Sequence, residues 1–556
     1  MEIHSLNINK ILAPLFDFGN PDLYFLIVLS ILNAVALCFL SNKFLQIIQI
    51  SNYNLKLYGK WVKDTKAKWV SRVSLLAFLS FLSVYAISVL FSQFLENKLF
   101  GYLGLIFYFA FIVIFVLELR KIPQKKPLKI TKRMMRIYVI LFALYAGITF
   151  GLLTLSLSYS NHLRVSVITL VPVLIPIIVP FATILIYPIE KLIYNYYKLK
   201  CKKELRKHSN LIKIGITGSY GKTSTKRFLY QFLTKKYKVC TTPSSYNTPM
   251  GICKVVLNDL KDDDEIFIAE MGANKVGDIK ELCDMVEVDA GLITAVGPQH
   301  LETFKSLDNI ISTKSELFKS LKDDAYCVFN VSNENTKKMF GDCELKNKIA
   351  VCGKNSFVQA KNIVATKDGL EFVLLYNENE YKTKTKILGE HNVQNILCAA
   401  ALAIKLGLSI DEILDIIPTL ESAEHRLELK QLDNNILIID DSFNSNIQGT
   451  AVALKTLKLF SNNRKIIVTP GLVELGKTEN SENVEFGKRI ADVCDLVILV
   501  GKNQSENIKK GLLEKGFNEE KVIFKETLFE VTNLFKTILQ SGDVVLLEND
   551  LPDNYK

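Results

Sequence analysis

A glycine turn followed by Lys-Thr-Ser-Thr is the part of the sequence whose residue types could most directly do chemistry. Residues 212–233 read IKIGITGSYGKTSTKRFLYQFL, a pattern that predicts a strand, a turn and a helix. Backbone N–H groups in such a turn point at phosphate oxygens, and the start of the helix adds positive potential. Lys222 would neutralise the terminal phosphates, and the hydroxyl of Thr223 would reach Mg²⁺. The candidate nucleotide-binding residues of this turn are Gly218, Gly221, Lys222, Thr223 and Ser224.

The elements that must hold this turn begin near Leu211, where short β-rich runs start to alternate with helical stretches. The strict G-x-x-x-x-G-K-[ST] spacing is not met, because Ile216 stands where the first glycine belongs. Alternating strands and helices predict parallel sheets covered by helices. A break near Ser422–Arg426 separates a P-loop-type central ATPase domain, residues 207–422, from a Rossmann-like C-terminal domain, residues 423–556.

The first 200 residues differ from the rest of the chain in composition. The chain of 556 residues is 49% hydrophobic, and its mean hydropathy of +0.20 is high for a soluble protein. Five apolar runs each approach the roughly 20 residues that cross a bilayer core. Because five runs with almost no internal charge are rare among buried helices of soluble proteins, residues 1–200 predict a transmembrane α-helical bundle. The runs are Leu23–Leu40, Val73–Phe94, Phe100–Leu117, Ile137–Leu157 and Val165–Ile189.

Positive charge sets the predicted orientation. The formal net charge is +11, and the lysines and arginines lie in alternate loops beside the apolar runs, which favours membrane topology over nucleic-acid binding. The N-terminus is therefore expected outside and everything after Lys191 inside. This predicts a multi-pass plasma-membrane protein with cytoplasmic catalytic domains. Ten scattered cysteines without a C-x-x-C pair fit a reducing compartment and argue against a structural zinc site.

Four further segments carry a resemblance to a known family. From about Leu211 to its C-terminus the chain resembles the Mur ligase superfamily, and within it the members that add D-alanyl-D-alanine. The segments are TTPSSYNTPMGI (Thr241–Ile252), AEMGANKVGDI (Ala269–Ile279), VGPQHLETFKSLDNIISTKSELF (Val296–Phe318) and GEHNVQNILCAAALAI (Gly389–Ile404).

The resemblance implies a metal site for Mg²⁺. Glu270 would supply a carboxylate from the end of a strand, and His300 would hold a second cation through a neutral imidazole. Lys314 matches a position that many family members carbamylate, which turns a cation into an anion able to bind metal. Unmodified, Lys314 would be a plain lysine on a helix surface.

The resemblance also implies nucleotide and substrate residues. Asn392 and Asn395 lie three apart on an Ala-rich helix, where they could hydrogen-bond ATP and its neighbouring loops or serve only as a cap and a solvated amide. Arg426 would reach the γ-phosphate, since its planar fork binds phosphate bidentately. Asp441 would contact the ribose hydroxyls. The residues expected near the substrate are Asn247, Thr248 and Asn444.

Several positions depart from the family pattern. Phe443 stands where tyrosine is usual and Ile447 where proline is usual. The sequence PGLV replaces GDM before ELG, and LLENDLPDNY (Leu546–Tyr555) replaces a Lys-Gly-Ser motif. The predicted membrane bundle occupies the place of the usual uridine-nucleotide-binding domain. The ATP part of the resemblance is therefore firmer than the acceptor part.

The function implied is an ATP-dependent amide-bond-forming ligase of peptidoglycan precursor synthesis that works through an acyl phosphate. Its partners would be a nucleotide-linked or lipid-linked peptide and an amino-acid or dipeptide donor. Three alternatives stay open: a related ligase on another polymer such as poly-γ-glutamate, a degenerate membrane scaffold, and a transport ATPase. The degenerate scaffold is disfavoured because the expected catalytic residues are all present, namely Lys222, Glu270, His300 and Arg426. The lack of an LSGGQ sequence argues against an ABC-type transport ATPase.

Overall fold

The apolar runs of the first part of the chain fold as helices. The structure, a computed structural model, divides into two compact units, Met1–Ile193 and Tyr194–Lys556. The residues that it describes are 21–64, 68–94, 103–120, 127–155, 166–243, 246–299, 301–443, 446–473, 475–501 and 504–549. The helices that begin in the first unit are α1 (Pro21–Leu40), α2 (Asn42–Ile50), α3 (Leu55–Asp64), α4 (Lys68–Phe94), α5 (Leu103–Arg120), α6 (Lys132–Leu155), a 3₁₀ segment (Ile168–Leu174) and α7 (Ile175–Lys207).

Three helices in the described residues are long and apolar enough to cross a membrane, Leu23–Leu40, Lys132–Leu155 and Ile168–Lys207. The second and third predicted runs correspond to the shorter apolar helices Arg72–Ile87 and Leu105–Ile114. An N-terminal helical region with three candidate spans is therefore found. The five crossings and the orientation remain predictions.

Polar side chains inside the first unit hydrogen-bond to one another. Asn33 on α1 donates from Nδ2 to Oγ1 of Thr149 on α6 at 2.9 Å, and Tyr108 on α5 donates to Oδ1 of Asn33 at 2.9 Å. Ser41 and Tyr145 share a hydrogen bond of 2.7 Å. Many large apolar side chains on the helices of this unit are exposed, such as those of Ile106, Val139 and Ile177. Polar groups paired inside and apolar groups facing outward are typical of helices in lipid.

The second unit begins with a nine-stranded sheet in the order β2-β3-β1-β4-β5-β6-β7-β8-β9. β1 to β6 pair in parallel, as predicted, and β7, β8 and β9 form an antiparallel extension. The strands are β1 (Ile212–Thr217), β2 (Val239–Thr241), β3 (Ile266–Glu270), β4 (Ala290–Ile293), β5 (Tyr326–Asn330), β6 (Asn347–Val351), β7 (Val358–Thr366), β8 (Gly369–Tyr376) and β9 (Asn379–Thr385).

Helices cover this sheet and carry most of the site. Their buried apolar faces form two hydrophobic clusters, one containing Phe228 and Ile396 and the other containing Ile252 and Leu317. The helices are α8 (Lys222–Leu233), α9 (Pro249–Asn258), α10 (Asp278–Val286), α11 (Leu301–Phe304), α12 (Leu307–Lys319), α13 (Glu334–Gly341), α14 (His391–Lys405) and α15 (Ile410–Ile416).

The C-terminal part is a six-stranded sheet in the order β10-β11-β15-β12-β13-β14. Only β10 pairs antiparallel, and all other neighbours are parallel. The strands are β10 (Glu428–Leu432), β11 (Ile436–Asp441), β12 (Lys465–Thr469), β13 (Leu496–Val500), β14 (Val522–Lys525) and β15 (Val544–Glu548). The helices are α16 (Ile447–Lys458), α17 (Glu479–Ala491), α18 (Ser505–Glu514) and α19 (Leu528–Ile538). The predicted pair of α/β folds is therefore found.

Candidate active site

The glycine turn lies between the end of β1 and the start of α8. Gly221 precedes the helix in a left-handed conformation, with φ of +81°, and any side chain there would collide with the Asn395 amide. Glycine is the residue that meets both requirements. Ile216, at the position of the missing first glycine, lies inside β1 and pairs with Glu270 of β3 and Leu292 of β4. Because Ile216 belongs to β1 and not to the turn, the missing first glycine does not change the turn at Gly218–Gly221.

Lys222 is folded back over its own turn. Its Nζ donates to the carbonyl oxygens of Gly218 at 2.8 Å and Ser219 at 3.2 Å. Burial lowers the pKa of Lys222, and the charge of Arg426 lowers it further while Glu270 opposes both. The two carbonyl oxygens thus hold the Lys222 ammonium group beside the turn, where it lines the cavity described below. Thr223 and Ser224 form the first turn of α8 behind it.

Glu270 ends β3 and is only 2% exposed. Asn247 donates from Nδ2 to its Oε1 at 3.2 Å. Its Oε2 lies 3.2 Å from Nζ of Lys226, which also donates to the carbonyl oxygen of Thr242 at 2.6 Å. Oε2 is thus paired with a cation, while Oε1 accepts from an amide. A buried carboxylate held by one amide and one ammonium is fixed in position, and carboxylate oxygens are the hard ligands that Mg²⁺ prefers.

Lys314 projects from α12 and is 4% exposed. Burial lowers its pKa to about 7, and the charge of Lys222 contributes to the shift. Only the neutral amine can attack CO₂, so this environment favours carbamate formation far more than a surface position would. The prediction that an unmodified Lys314 would be a plain surface lysine is wrong, because α12 turns this side chain inward.

Asn392 and Asn395 form a hydrogen-bonded pair on α14, next to the glycine turn. Asn392 donates to the carbonyl oxygen of Leu388 at 2.8 Å, and Asn395 donates to Oδ1 of Asn392 at 2.9 Å. Thr225 on α8 donates to Oδ1 of Asn395 at 3.3 Å. Both asparagines are buried, so neither is the solvated amide of the alternative interpretation. Asn395 lies against Gly221 of the turn, and the predicted contact of both residues with the nucleotide stays a prediction.

Arg426 and Asp441 lie together at the start of the C-terminal part. The guanidinium carbon of Arg426 is 4.3 Å from the centre of the Phe443 ring. Burial raises the pKa of Asp441 to about 6, and the positive charge of Arg426 opposes the rise. The backbone N–H of Leu427 donates to Oδ1 of Asp441 at 3.2 Å. The charge of Arg426 also lowers the pKa of Lys222.

A cavity of about 390 Å³ opens beside these groups. Its walls include Ser219 and Lys222 of the turn, Asn247 and Thr248 before α9, and Lys314 of α12. Thr248 also caps α9, accepting from the N–H of Gly251 at 3.3 Å. A cavity of this size suits a small polar substrate.

Comparisons with known proteins decide the family. Residues 216–403 match the family model described as Mur ligase middle domain, and residues 425–548 match the one described as Mur ligase, glutamate ligase domain. The two matches together cover more than half of the chain. The chain belongs to the Mur ligase family. Members of this family are ATP-dependent ligases, so the turn and its surroundings belong to an enzyme of that type.

Individual relatives of this Mur ligase agree with the family match. The UDP-N-acetylmuramoyl-tripeptide–D-alanyl-D-alanine ligase of Bacillus subtilis is 28% identical over 60% of this chain and 72% of the relative. The enzyme of the same name from Haemophilus influenzae is 28% identical over 64% of this chain and 74% of the relative. Among solved structures, the MurF ligase from Thermotoga maritima in complex with ADP has a TM-score of 0.56 at 25% identity, over 64% of this chain and 80% of the other.

Two predicted site residues of this Mur ligase, His300 and Asn444, lie outside the described residues. The other predicted residues are placed as described above, and their roles stay predictions. Asn247, expected near substrate, also holds Glu270. Lys226 was missed by the sequence reasoning. Its position three residues before the buried Leu229 on α8 is the signal that it faces inward.

Proposed function

We propose that the chain is an ATP-dependent ligase that joins D-alanyl-D-alanine, or a closely related amine, to the peptide of a cell-wall precursor. The observation that carries the proposal is the phosphate turn, whose Lys222 lines one cavity together with Lys314. The names of the relatives support the choice of donor and of a uridine-diphosphate-linked peptide acceptor.

The residues suit a two-step reaction. An oxygen of the acceptor carboxylate attacks the γ-phosphorus of ATP, ADP leaves, and an acyl phosphate forms. The donor amine then attacks the acyl carbon, and phosphate leaves through a tetrahedral intermediate. Such transfers depend on positioning and on charge stabilisation. Lys222 and Arg426 supply positive charge where the transferred phosphoryl group must pass, and Asp441 is available for the nucleotide ribose.

The donor set fits Mg²⁺. Glu270 offers a buried carboxylate at the end of β3, and hard oxygen ligands are those that Mg²⁺ prefers. We propose that Glu270, the hydroxyl of Thr223, His300 and a carbamylated Lys314 hold the metal ions. When bound, these ions neutralise phosphate charge. Asn247 and Lys226 keep the Glu270 carboxylate in place for that task.

A membrane location follows as a further proposal. The three candidate spans and the basic loops support a plasma-membrane protein with its ligase part in the cytoplasm. The acceptor is then either the soluble nucleotide-linked peptide or its lipid-linked form, whose headgroup would be concentrated in the same plane.

The activity is tested with purified full-length protein in detergent. Phosphate release from ATP is measured with nucleotide-linked and lipid-linked peptide acceptors and with D-alanyl-D-alanine or single amino acids as donors. We expect release that requires acceptor and donor together, and a product heavier than the acceptor by the donor minus water. The Lys222→Ala variant is the inactive control. Release without an acceptor, or a product formed only with poly-γ-glutamate and glutamate, would contradict the proposal.

The orientation is tested separately with reporters. A reporter fused after Tyr555 should be active only if it is a cytoplasmic reporter. Activity of an extracytoplasmic reporter at that position would reverse the proposed topology.

A further inference from the structure

One wall of the active-site cavity comes from outside the segment that matches the family. Tyr194 lines the cavity and lies on α7, before residue 216 where the family match begins. Its hydroxyl donates to Oε1 of Glu281 on α10 at 2.9 Å. Nζ of Lys198, one turn further along α7, donates to the same oxygen at 2.8 Å. The ring is therefore held at the cavity by a defined polar anchor.

The end of α7 is an integral part of the ligase unit. Cys201 and Leu205 are fully buried and pack in the same hydrophobic cluster as Val255 of α9. Arg206 donates from Nε to both carboxylate oxygens of Glu287, at 3.2 and 2.9 Å. Together with the anchor at Glu281, these contacts fix the helix over about four turns, so the position of Tyr194 is set by packing as well as by its own hydrogen bond.

The cavity links Tyr194 to the reacting end of the substrate. The carboxylate to be activated must lie near Ser219, Lys222 and Lys314, which line the same cavity. With about 390 Å³, the cavity holds a part of a peptide but not a peptide together with its carrier. The peptide must therefore continue past the other walls, which include Lys275 and Tyr194. The tyrosine ring offers an apolar face against which a peptide can pack, and its hydroxyl group adds a polar edge.

We propose that Tyr194 is a specificity-determining residue that contacts the peptide of the acceptor. This inference rests on the proposed ligase function and adds the substrate contact made by α7. The C-terminal end of α7 thereby supplies part of the acceptor site. In the proposed function ATP binds at the phosphate turn, so we expect changes at Tyr194 to act on the acceptor and not on the nucleotide.

The test uses the full-length protein in detergent with ATP, the donor and a peptide acceptor. Tyr194→Ala should raise the KM for the acceptor about tenfold, the effect of losing one aromatic contact, while the KM for ATP stays within about twofold. Tyr194→Phe keeps the ring and should change the acceptor KM much less. Tyr196→Ala is the matched control, because Tyr196 lies on the same helix and is 61% exposed. Its kinetics should equal those of the unchanged enzyme.

Three results would overturn the inference. An unchanged acceptor KM in Tyr194→Ala would mean that the ring does not contact the acceptor. Equal losses for acceptor and ATP, together with a lower melting temperature, would mean that Tyr194 only supports the fold. An unmodified enzyme that ligates no peptide at all would instead refute the proposed function, and the inference would fall with it.

Discussion

Replacing Lys314 by methionine should stabilise the ligase and remove its activity. The Lys314 side chain is 4% exposed, and burial lowers its pKa from the usual 10.5 to about 7. A buried amine of this kind lowers the free energy of unfolding. In the unfolded chain the amine is protonated and hydrated, whereas in the folded chain it must either lose the proton or keep its charge without hydration. Methionine fills similar space without a charge.

The sign and size follow from proton linkage. Between pH 7 and pH 10.5 the unfolded state binds more protons at this position than the folded state, so stability rises with pH across this window. The cost of the amine is roughly 5 kcal/mol at pH 6.5 and roughly 1 to 2 kcal/mol at pH 9.5. For a unit of this size those values correspond to about 6 °C and about 2 °C in melting temperature.

The assay is thermal unfolding of the full-length protein at the two pH values in CO₂-free buffer. Lys314→Met should melt higher than the unchanged protein at pH 6.5, and the difference should shrink at pH 9.5. Lys319→Met is the matched control, since Lys319 is exposed on the same helix; it should show no pH-dependent difference. Ligation should be lost in Lys314→Met alone. A methionine variant that melts no higher than the unchanged protein at either pH, or that ligates normally, would refute the reasoning.

Other changes test the remaining groups. Lys222→Ala should abolish ATP turnover, because it removes the ammonium group that lines the cavity at the phosphate turn; normal turnover would show that Lys222 does not act at the phosphate site. Lys226→Met should raise the Mg²⁺ concentration needed for half-maximal activity about tenfold, since Glu270 loses its ammonium partner; an unchanged Mg²⁺ requirement would assign Lys226 to the fold alone. Arg426→Lys should lower kcat about a hundredfold, because an ammonium lacks the planar fork; kcat within twofold would show that only charge is needed.

The strand, turn and helix around Gly221 could be predicted because local pattern decides them. A β-rich run, two glycines and Lys-Thr at a helix start agree with one another, and the structure has the elements in that order. The parallel pairing of β1 to β6 follows from the same alternation. A segment can be predicted from its sequence when strand propensity, turn residues and helix start all indicate the same structure, as they do here.

The partners of Glu270 could not be read in this way. Lys226 reaches Glu270 from α8, and Asn247 reaches it from the segment before α9, so the contacts depend on how three elements pack. The burial of Lys314 has the same origin, since helical spacing alone allows either face of α12. Sequence patterns identify the residues, but tertiary packing decides their environment and therefore their pKa.

The positions that depart from the family pattern become understandable once their contacts are known. Phe443 stacks under Arg426, a contact that requires an aromatic ring but no hydroxyl, so phenylalanine serves there as tyrosine would. Ile447 is the first residue of α16, where proline is favoured because its missing N–H is not needed. Here the side chain of Asn446 accepts from the N–H groups of Gln448 and Gly449 and starts the helix without a proline. Both substitutions therefore keep the geometry that the pattern encodes, and neither argues for a degenerate ligase. Tyr194, which we propose contacts the acceptor, precedes the residues that match the family models, so those models do not describe the proposed contact.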